Sequence, residues 1–324
     1  MSDDETHLVR ARQALRNVAA VVPNPDGDGL AAAAIALRER GEGAGSAVLL
    51  ERGMTPWSPE APLPDGPLAI LDWGMRELDR PALIVDHHAP EAAPRADQVF
   101  VNGYGAVPEA PTAALMRRIV PDGPPWLAAV GAVADLGDDG FELPEAAENR
   151  REAVRRVASA VNAAPRIPGG PVRTALELLV ESEDARGALA DQRFTDLDEA
   201  KRACKGEVDR VIRSAIPKVA ESIALVRFSS PCEVQPLIAM TWARRLAPMV
   251  VIAANDGYLP GRVTFALRGG EGSLPALLRA ALPDGVHGGV DQGHDSATGG
   301  SLEPADFEHL VEALGLPRAL VGAS

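Results

Sequence analysis

Four short apolar runs in the first half of the chain each lead, within a few residues, to an aspartate. The runs are NVAAVV, LAIL, ALIV and WLAAVGAVA, and the aspartates are Asp26, Asp72, Asp86 and Asp135. Helical segments such as LAAAAIALRERG separate them, and strands that alternate with helices predict a parallel sheet covered on both faces. The last run can be read as helical or extended. Because ligands bind at the carboxyl ends of strands in open α/β sheets, we expect the four aspartates at one edge.

The pattern changes twice along the 324 residues, a length that suits two domains. Charged helical segments dominate from about Leu143, and strand-like runs return from about Glu221 as SIALVRF, MVVIAAND and RVTFALRG. We therefore predict an α/β fold in which a parallel-sheet domain with a helical extension (1–194) is joined by a linker helix (195–218) to a smaller α/β domain (219–324). Two such lobes are expected to face each other across a cleft.

The composition limits the classes of protein. A formal net charge of −14 argues against a globally basic surface for long nucleic acid, although a local basic groove stays open. No apolar run is long enough to span a membrane, and the charged N-terminus lacks the core of a secretory signal. The two cysteines, Cys204 and Cys232, have no metal-type spacing. We expect a cytoplasmic protein with free thiols.

Carboxylates and histidines accumulate in two short stretches. PDGDG places Asp26 and Asp28 one glycine apart, and VDHH places His87 and His88 directly after Asp86. Taken alone, VDHH would also fit a surface turn. Several carboxylates at one sheet edge repel each other unless cations neutralise them. Carboxylates mixed with imidazole suit Mn²⁺ or Mg²⁺, and two such ions can activate attack on phosphorus.

The ordered set of motifs resembles the DHH phosphoesterase superfamily. NPDGDG, the LD that ends in Asp72, VDHH and VADLGD have the order and spacing of its four motifs. GHDSATGG, Gly293 to Gly300, is similar to the signature of its DHH-associated domain, with Gln292 and Thr298 as departures. VNAAPRI is similar to the corresponding region of RecJ-type nucleases, so the resemblance touches nearly the whole chain.

The resemblance implies a two-ion centre. It gives one ion to Asp26 and Asp72, and a second ion to Asp28, Asp72, His87 and Asp135, with Asp72 bridging. The ions are expected to be Mn²⁺, with Mg²⁺ or Co²⁺ as alternatives. His88 is then a donor to the phosphate or the leaving group, and Asp86 orients a histidine.

The resemblance also implies substrate contacts in the later part of the chain. These are Arg268 in VTFALRG, and Gly293 with His294 in GHDSATGG. Asn162 and Arg166 in VNAAPRI join them, although capping and packing of helices is an equally open role for these two. For His294 the alternative is that it is an ordinary surface histidine without a role in binding.

One departure bears on the first ion. Small-substrate members carry a histidine where this chain has Val22, and RecJ-type members often carry an aspartate where it has Asn24. The first ion therefore lacks a usual donor, and we expect it to be held weakly.

These observations predict a metal-dependent phosphoesterase of the exonuclease type. Its substrates are expected to be short oligonucleotides, single-stranded DNA or mono- and dinucleotides, cleaved at phosphodiester or phosphomonoester bonds. The alternative is a non-catalytic nucleotide-binding or scaffold protein with a degenerate first metal site. The oligomeric state is open, with a homodimer as one possibility.

Overall fold

The computed structural model describes residues 3–146, 150–282, 286 and 293–317. The chain divides into two compact units, the first made of Met1–Pro165 with Gly169–Lys201 and the second of Arg166–Pro168 with Arg202–Ser324. The division between Lys201 and Arg202 falls inside a long helix. Each unit has its own sheet and its own apolar core.

The first unit is built on a four-stranded sheet in the order β1-β2-β3-β4, in which all neighbours are parallel. The strands are β1 Ala20–Pro23, β2 Leu68–Leu71, β3 Ala82–Asp86 and β4 Gln98–Asn102. The helices are α1 Asp3–Arg16, α2 Gly27–Arg40, α3 Thr112–Ile119, α4 Pro125–Leu136, α5 Arg151–Ala163, α6 Val172–Glu181, α7 Ala185–Ala190 and α8 Phe194–Ser214, and the part of α8 from Arg202 onward belongs to the second unit. Short 3₁₀ turns cover Ala44–Ser46, Gly137–Glu142, Pro144–Ala146 and Ala164–Arg166.

Both faces of this sheet are buried, and the strand period of two divides the apolar residues between them. Val21, Leu71 and Val85 pack into the cluster that also contains α2, α3 and α4. Val22 and Ile70 belong to the cluster on the other face, which includes Leu50 and Met75 from loops. Helices cover one face and irregular segments contribute to the cover of the other, so the predicted parallel sheet is confirmed.

The apolar run SAVLLE, residues 46–51, also predicts a strand, and this local expectation was wrong. SAVLLE does not add a strand, because Ala47 makes only an isolated bridge to Val21 and the residues after it pack over the sheet instead. The predicted linker helix 195–218 is α8, which begins one residue earlier and ends at Ser214, before a strand that starts at Lys218. The run WLAAVGAVADL, for which the sequence left helix and strand open, is a helix, α4. Asp135 therefore lies in the last turn of this helix and not after a strand.

The second unit contains a six-stranded mixed sheet in the order β5-β6-β7-β8-β10-β9. The strands are β5 Lys218–Ala220, β6 Ile223–Phe228, β7 Val250–Asn255, β8 Val263–Gly269, β9 Gly293–His294 and β10 Ala297–Leu302. The helices are α9 Gln235–Leu246, α10 Leu274–Ala281 and α11 Pro304–Ala313. Only β6 and β7 pair in parallel among the strands described. Phe265 and Phe307, with ring centroids 5.4 Å apart, pack in the core of this unit.

Candidate metal centre

The carboxyl ends of β1, β2 and β3 bring acidic and imidazole groups together at one edge of the first sheet. Asp26 follows β1 and caps α2, because its Oδ1 accepts a hydrogen bond from the Gly29 N–H at 2.9 Å. Asp28 lies in the first turn of α2, and Asp72 directly follows β2. The charges of the other predicted ligands act on the pKa of the buried Asp28; these ligands are Asp72, His87, Asp135 and Asp26.

His87 is the centre of this group. Its Nε2 lies 3.4 Å from Oδ1 of Asp72 and 3.9 Å from Oδ2 of Asp28. Its Nδ1 lies 4.0 Å from Oδ2 of Asp135. Asp28 and Asp72 are each 2% exposed and His87 is 1% exposed, whereas the side chain of Asp135 is 29% exposed. A buried core of two carboxylates and one imidazole therefore stands beside a more accessible carboxylate.

The two buried carboxylates differ in their electrostatics. Burial raises the pKa of Asp28 well above its usual range, and the charge of Asp72 raises it further. Burial also acts to raise the pKa of Asp72, but hydrogen bonds with His87 and Thr112 and the histidine charges outweigh it, and the pKa falls below its usual range. The surroundings of Asp28 therefore disfavour its charged form, and a nearby cation would favour it.

The two histidines have raised pKa values. Burial lowers the pKa of His87, but hydrogen bonds with Asp72 and Glu109 outweigh that effect and raise it to about 12. Burial also lowers the pKa of His88, and its hydrogen bond with Asp86 raises the value to about 9. Both shifts show that strong negative potential surrounds these rings.

The N-terminus of α3 holds the two buried carboxylates. The N–H of Thr112 donates to Oδ2 of Asp28 at 2.7 Å, and the N–H of Ala113 donates to Oδ1 at 2.9 Å. The Thr112 hydroxyl donates to Oδ1 of Asp72 at 2.7 Å. The run TAALMRRIV predicts a helix after Pro111, but it does not indicate that the first residues of this helix bond the two aspartates.

The backbone of Asp72 is also unusual. Its φ angle is +66°, in the left-handed region that most residues other than glycine avoid. Asn24 donates from Nδ2 to the carbonyl of Asp72 at 3.0 Å, so the amide that the sequence offered as a weak ligand holds the backbone of a proposed ligand. Strained backbone that is held by its neighbours is typical of functional sites.

The residues present fit a divalent cation. The donor set of carboxylates and one imidazole suits Mn²⁺ or Mg²⁺. The separations of 3.4 and 3.9 Å from Nε2 of His87 are near the spacing of about 3 Å between neighbouring donors around an octahedral ion with bonds of about 2.1 Å. Donor atoms of Asp72, His87 and His88 also lie within 4.8 Å of one another. Asp28, Asp72 and His87 therefore form the candidate metal centre.

His88 is held by Asp86 beside this centre. Oδ1 of Asp86 lies 2.9 Å from Nδ1 of His88, and Oδ2 accepts the His88 N–H at 2.8 Å. Asp86 is fully buried, while the side chain of His88 is 25% exposed. The His88 ring stands 4.5 Å from that of His87. A buried carboxylate thus fixes an accessible imidazole next to the candidate ligands.

Asn162 ties two loops of the site together. Its Oδ1 accepts the N–H of Gly27 at 3.0 Å, and its Nδ2 donates to the carbonyl of Ala134 at 2.8 Å. These bonds join the turn between Asp26 and Asp28 to the helix end that carries Asp135. This is the capping and packing role left open from the sequence. A contact of Asn162 with substrate stays a prediction.

The predicted substrate residues Arg268, Gly293 and His294 lie on β8 and β9, the two strands that flank β10. Arg268 on β8 and His294 on β9 are both register partners of Ala297 on β10, so their backbones are two strand spacings, or about 10 Å, apart. Gly293 pairs with Thr298 in the same hairpin, and the side chains of 293–294 lie outside the described residues. Arg268 donates to the carbonyls of Leu267 and Thr298.

Arg166 belongs to the second unit together with Arg268. The Glu233 N–H donates to the Arg166 carbonyl at 2.7 Å, and the Arg166 guanidinium donates to the Glu233 carbonyl at 3.3 Å. Burial lowers the pKa of Arg268, and the charge of Arg166 lowers it further.

Val22 does not face the carboxylates. It is fully buried and packs with Ile70, Ile84 and Met75 in the cluster on the second face of the sheet. The donor that the resemblance places at this position is therefore absent, and an apolar contact takes its place.

Substitution of Val22 by histidine should consequently destabilise the protein without adding a metal ligand. From the sequence, a histidine at this position is expected to tighten the weak site if the backbone follows the family, whereas the apolar surroundings of Val22 lead us to expect no added ligand. Burying an imidazole without a partner should cost about 2–5 kcal/mol. Chemical denaturation would measure the loss, with Val22→Ile as the apolar control. Tighter Mn²⁺ binding by V22H in calorimetry would contradict the placement of Val22.

No protein-family model and no curated protein matches the chain. Solved structures do match. RecJ from Thermus thermophilus in complex with Mn²⁺ is 19% identical with a TM-score of 0.63, over 96% of this chain and 55% of that one. An exonuclease RecJ bound to manganese is 20% identical with a TM-score of 0.57, over 99% and 96%. The DHH domain of a member of a family of ribosomal proteins is 14% identical with a TM-score of 0.60, over 97% and 89%.

Fold and site together define an α/β chain with a buried carboxylate–imidazole centre at the edge of a parallel sheet. Its fold is that of RecJ and of the DHH-domain protein, so the resemblance drawn from the motifs is confirmed at the level of the fold. The chain spans about half of the length of the Thermus RecJ. Among the helices described, none has the length and apolarity needed to cross a bilayer.

Proposed function

We propose that the chain is a metal-dependent phosphoesterase. The observation that carries the proposal is the buried group of Asp28, Asp72 and His87, on the fold of proteins whose structures contain Mn²⁺ or Mg²⁺. The substrates are short oligonucleotides, single-stranded DNA or mono- and dinucleotides, cleaved at phosphodiester or phosphomonoester bonds. The exonuclease title of one neighbour agrees with this class.

Two sets of residues are proposed to hold ions. Asp28, Asp72, His87 and Asp135 hold the tight one, and Asp26 with Asp72 holds the weak one. Bound divalent ions would lower the pKa of a water molecule and balance negative charge on the phosphate. The weak assignment follows from the apolar surroundings of Val22, since no imidazole joins Asp26 there. Mn²⁺ is the proposed ion, with Mg²⁺ or Co²⁺ as alternatives.

His88 and Asp86 are proposed to form the acid–base part of the site. Asp86 lies within hydrogen-bond distance of Nδ1 of His88, so Nε2 is the nitrogen proposed to contact the substrate. From there His88 donates to a phosphate oxygen or to the leaving group. Asp86 acts through the histidine and does not touch substrate.

The second unit is proposed to bind the phosphates of the substrate. Arg268 and Arg166 supply guanidinium groups, which bind phosphate in a bidentate manner, and Gly293 and His294 lie on the neighbouring hairpin. Asn162 is retained as a substrate contact only as a prediction, beside its bonds to Gly27 and Ala134.

A non-catalytic nucleotide-binding or scaffold protein is the second candidate. The apolar surroundings of Val22 favour this candidate, because they leave the first ion site without an imidazole donor. A protein with an incomplete ion site could bind a nucleotide without hydrolysing it. An activity panel separates the two. It tests Mn²⁺, Mg²⁺ and Co²⁺ with a model diester, dinucleotides, short oligomers and a nucleotide monophosphate. Metal-dependent turnover of any substrate supports the enzyme, whereas nucleotide binding without turnover supports the scaffold.

Substrate length should have little effect on affinity. The net charge of −14 opposes extended contact with a polyanion, so binding should show a shallow salt dependence that corresponds to a few phosphates. Arg268→Gln should weaken all lengths alike and lower the salt slope by about 1. Arg262→Gln is the matched control, since Arg262 pairs with Glu303 at 3.0 Å in the same unit. Affinity that rises steeply with strand length would instead indicate a processive nuclease.

A further inference from the structure

Glu109 is an acidic residue that no sequence motif singled out, and it contacts the central histidine of the metal centre. Its Oε1 lies 3.1 Å from Nδ1 of His87. Another acidic neighbour of that nitrogen, Asp135, is 4.0 Å away, which is beyond hydrogen-bond distance. Of these two carboxylates, Glu109 is the one close enough to bond Nδ1.

The two nitrogens of His87 face different partners. Nδ1 faces Glu109, whereas Nε2 faces Asp72 and Asp28. A cation that binds Nε2 would displace the proton of that nitrogen, so the ring would keep one N–H, and a carboxylate acceptor at Nδ1 would hold that proton there and leave the Nε2 lone pair for the cation. A bond to Glu109 thus directs the metal-binding lone pair toward the two buried aspartates.

We propose that Glu109 is a positioning residue, which accepts the Nδ1–H of His87 and so orients Nε2 toward a cation held by Asp28 and Asp72. The inference rests on the proposed metal-dependent function. In this arrangement the Glu109 oxygen bonds the imidazole at Nδ1 and is not counted among the ligands of the cation. Glu109 therefore acts through His87.

The path of the chain supports this role. A Cβ on Gly103 would meet the carbonyl of Ala110 at 2.6 Å and Cβ of His87 at 3.4 Å, so the segment after Glu109 packs closely against the loop beside His87. The next residues, Thr112 and Ala113, bond Asp72 and Asp28. Segment 109–113 thus contacts all three members of the metal centre.

The test compares Glu109→Ala with Glu109→Gln. Loss of the acceptor in E109A should weaken Mn²⁺ binding in calorimetry by about 10–100-fold, the usual cost of removing a partner of a metal-bound histidine. E109Q keeps an acceptor oxygen and should retain affinity within about 3-fold. Glu42→Ala and Glu42→Gln are the controls, because the Glu42 side chain has the same 31% exposure and pairs with Arg40 elsewhere in the unit.

A second measurement follows the hydrogen bond itself. The His87 Nδ1–H proton should be downfield and slow to exchange in NMR spectra of wild type and E109Q, with and without Mg²⁺, and should lose both properties in E109A. Unchanged binding in E109A, or equal losses in E109A and E109Q, would overturn the proposal. A wild-type protein that binds ions but hydrolyses nothing would refute the proposed enzyme. The binding and NMR results would still test the role of Glu109, because neither measurement depends on turnover.

Discussion

Asp72→Asn is expected to abolish tight Mn²⁺ binding and hydrolysis together. Asp72 is 2% exposed, follows β2 directly, and lies 3.4 Å from Nε2 of His87. The substitution removes the charge that the proposed function assigns to both ions. Asparagine is the replacement that preserves the fold best, because it tolerates the left-handed backbone at φ +66° and can still accept the Thr112 hydroxyl.

Calorimetry and a diester assay would measure these losses. Turnover should fall by about 10³-fold or more, a decrease typical of losing a group that stabilises charge in the transition state. Asp79→Asn is the control, since Asp79 is 96% exposed and pairs with Arg95 on the surface. Circular dichroism of the metal-free variant checks the fold. Wild-type affinity in D72N would show that Asp72 is not a ligand.

Gly131→Ala should damage the metal centre from inside a helix. A Cβ at Gly131 in α4 would lie 2.5 Å from Oδ1 of Asp28 and 2.4 Å from Cβ of Ala113. Neither neighbour can retreat easily, because Asp28 is bonded to the N–H groups of Thr112 and Ala113. Either α4 shifts or Asp28 leaves these donors. We expect a loss of about 1–3 kcal/mol in stability, as for other overpacked cores.

Metal binding should fall as well, by about 10–100-fold, since Asp28 would lose the partners that orient it. Gly206→Ala is a matched control, because Gly206 also lies within a helix, α8, and a Cβ there meets no atom within 4 Å. G206A should be more stable by about 0.5–1 kcal/mol, the helix preference for alanine over glycine. Thermal unfolding and calorimetry on both variants compare the two effects. Unchanged binding by G131A would mean that Asp28 is not constrained as described.

The arrangement of the first sheet could be predicted because burial on both faces produces continuous apolar runs. The place of the aspartates could be predicted as well, because they stand where those runs end. Asp28, Asp72 and His87 meet for that reason. Asp135 reaches the same place by another route, on the last turn of α4, which periodicity alone did not separate from a strand.

The partners of these ligands could not be predicted in the same way. Glu109 and Thr112 stand in a loop and at a helix start, and their roles depend on where α3 packs, which local sequence does not determine. Val22 shows the complementary difficulty. Its position indicated that a donor was missing, but only the pairing with Ile70 shows that its side chain belongs to the apolar face.

The bonds from the N-terminus of α3 to Asp28 have a consequence for the kinetics of ion exchange. Two backbone N–H groups and the partial positive charge of a helix end hold this carboxylate in place through contacts that involve no ion. A cation that enters meets side chains which need little rearrangement, and the competing donors reduce the charge that attracts it. We therefore expect ions to enter and leave at rates governed by the loss of their own water molecules, with the surrounding polypeptide nearly still.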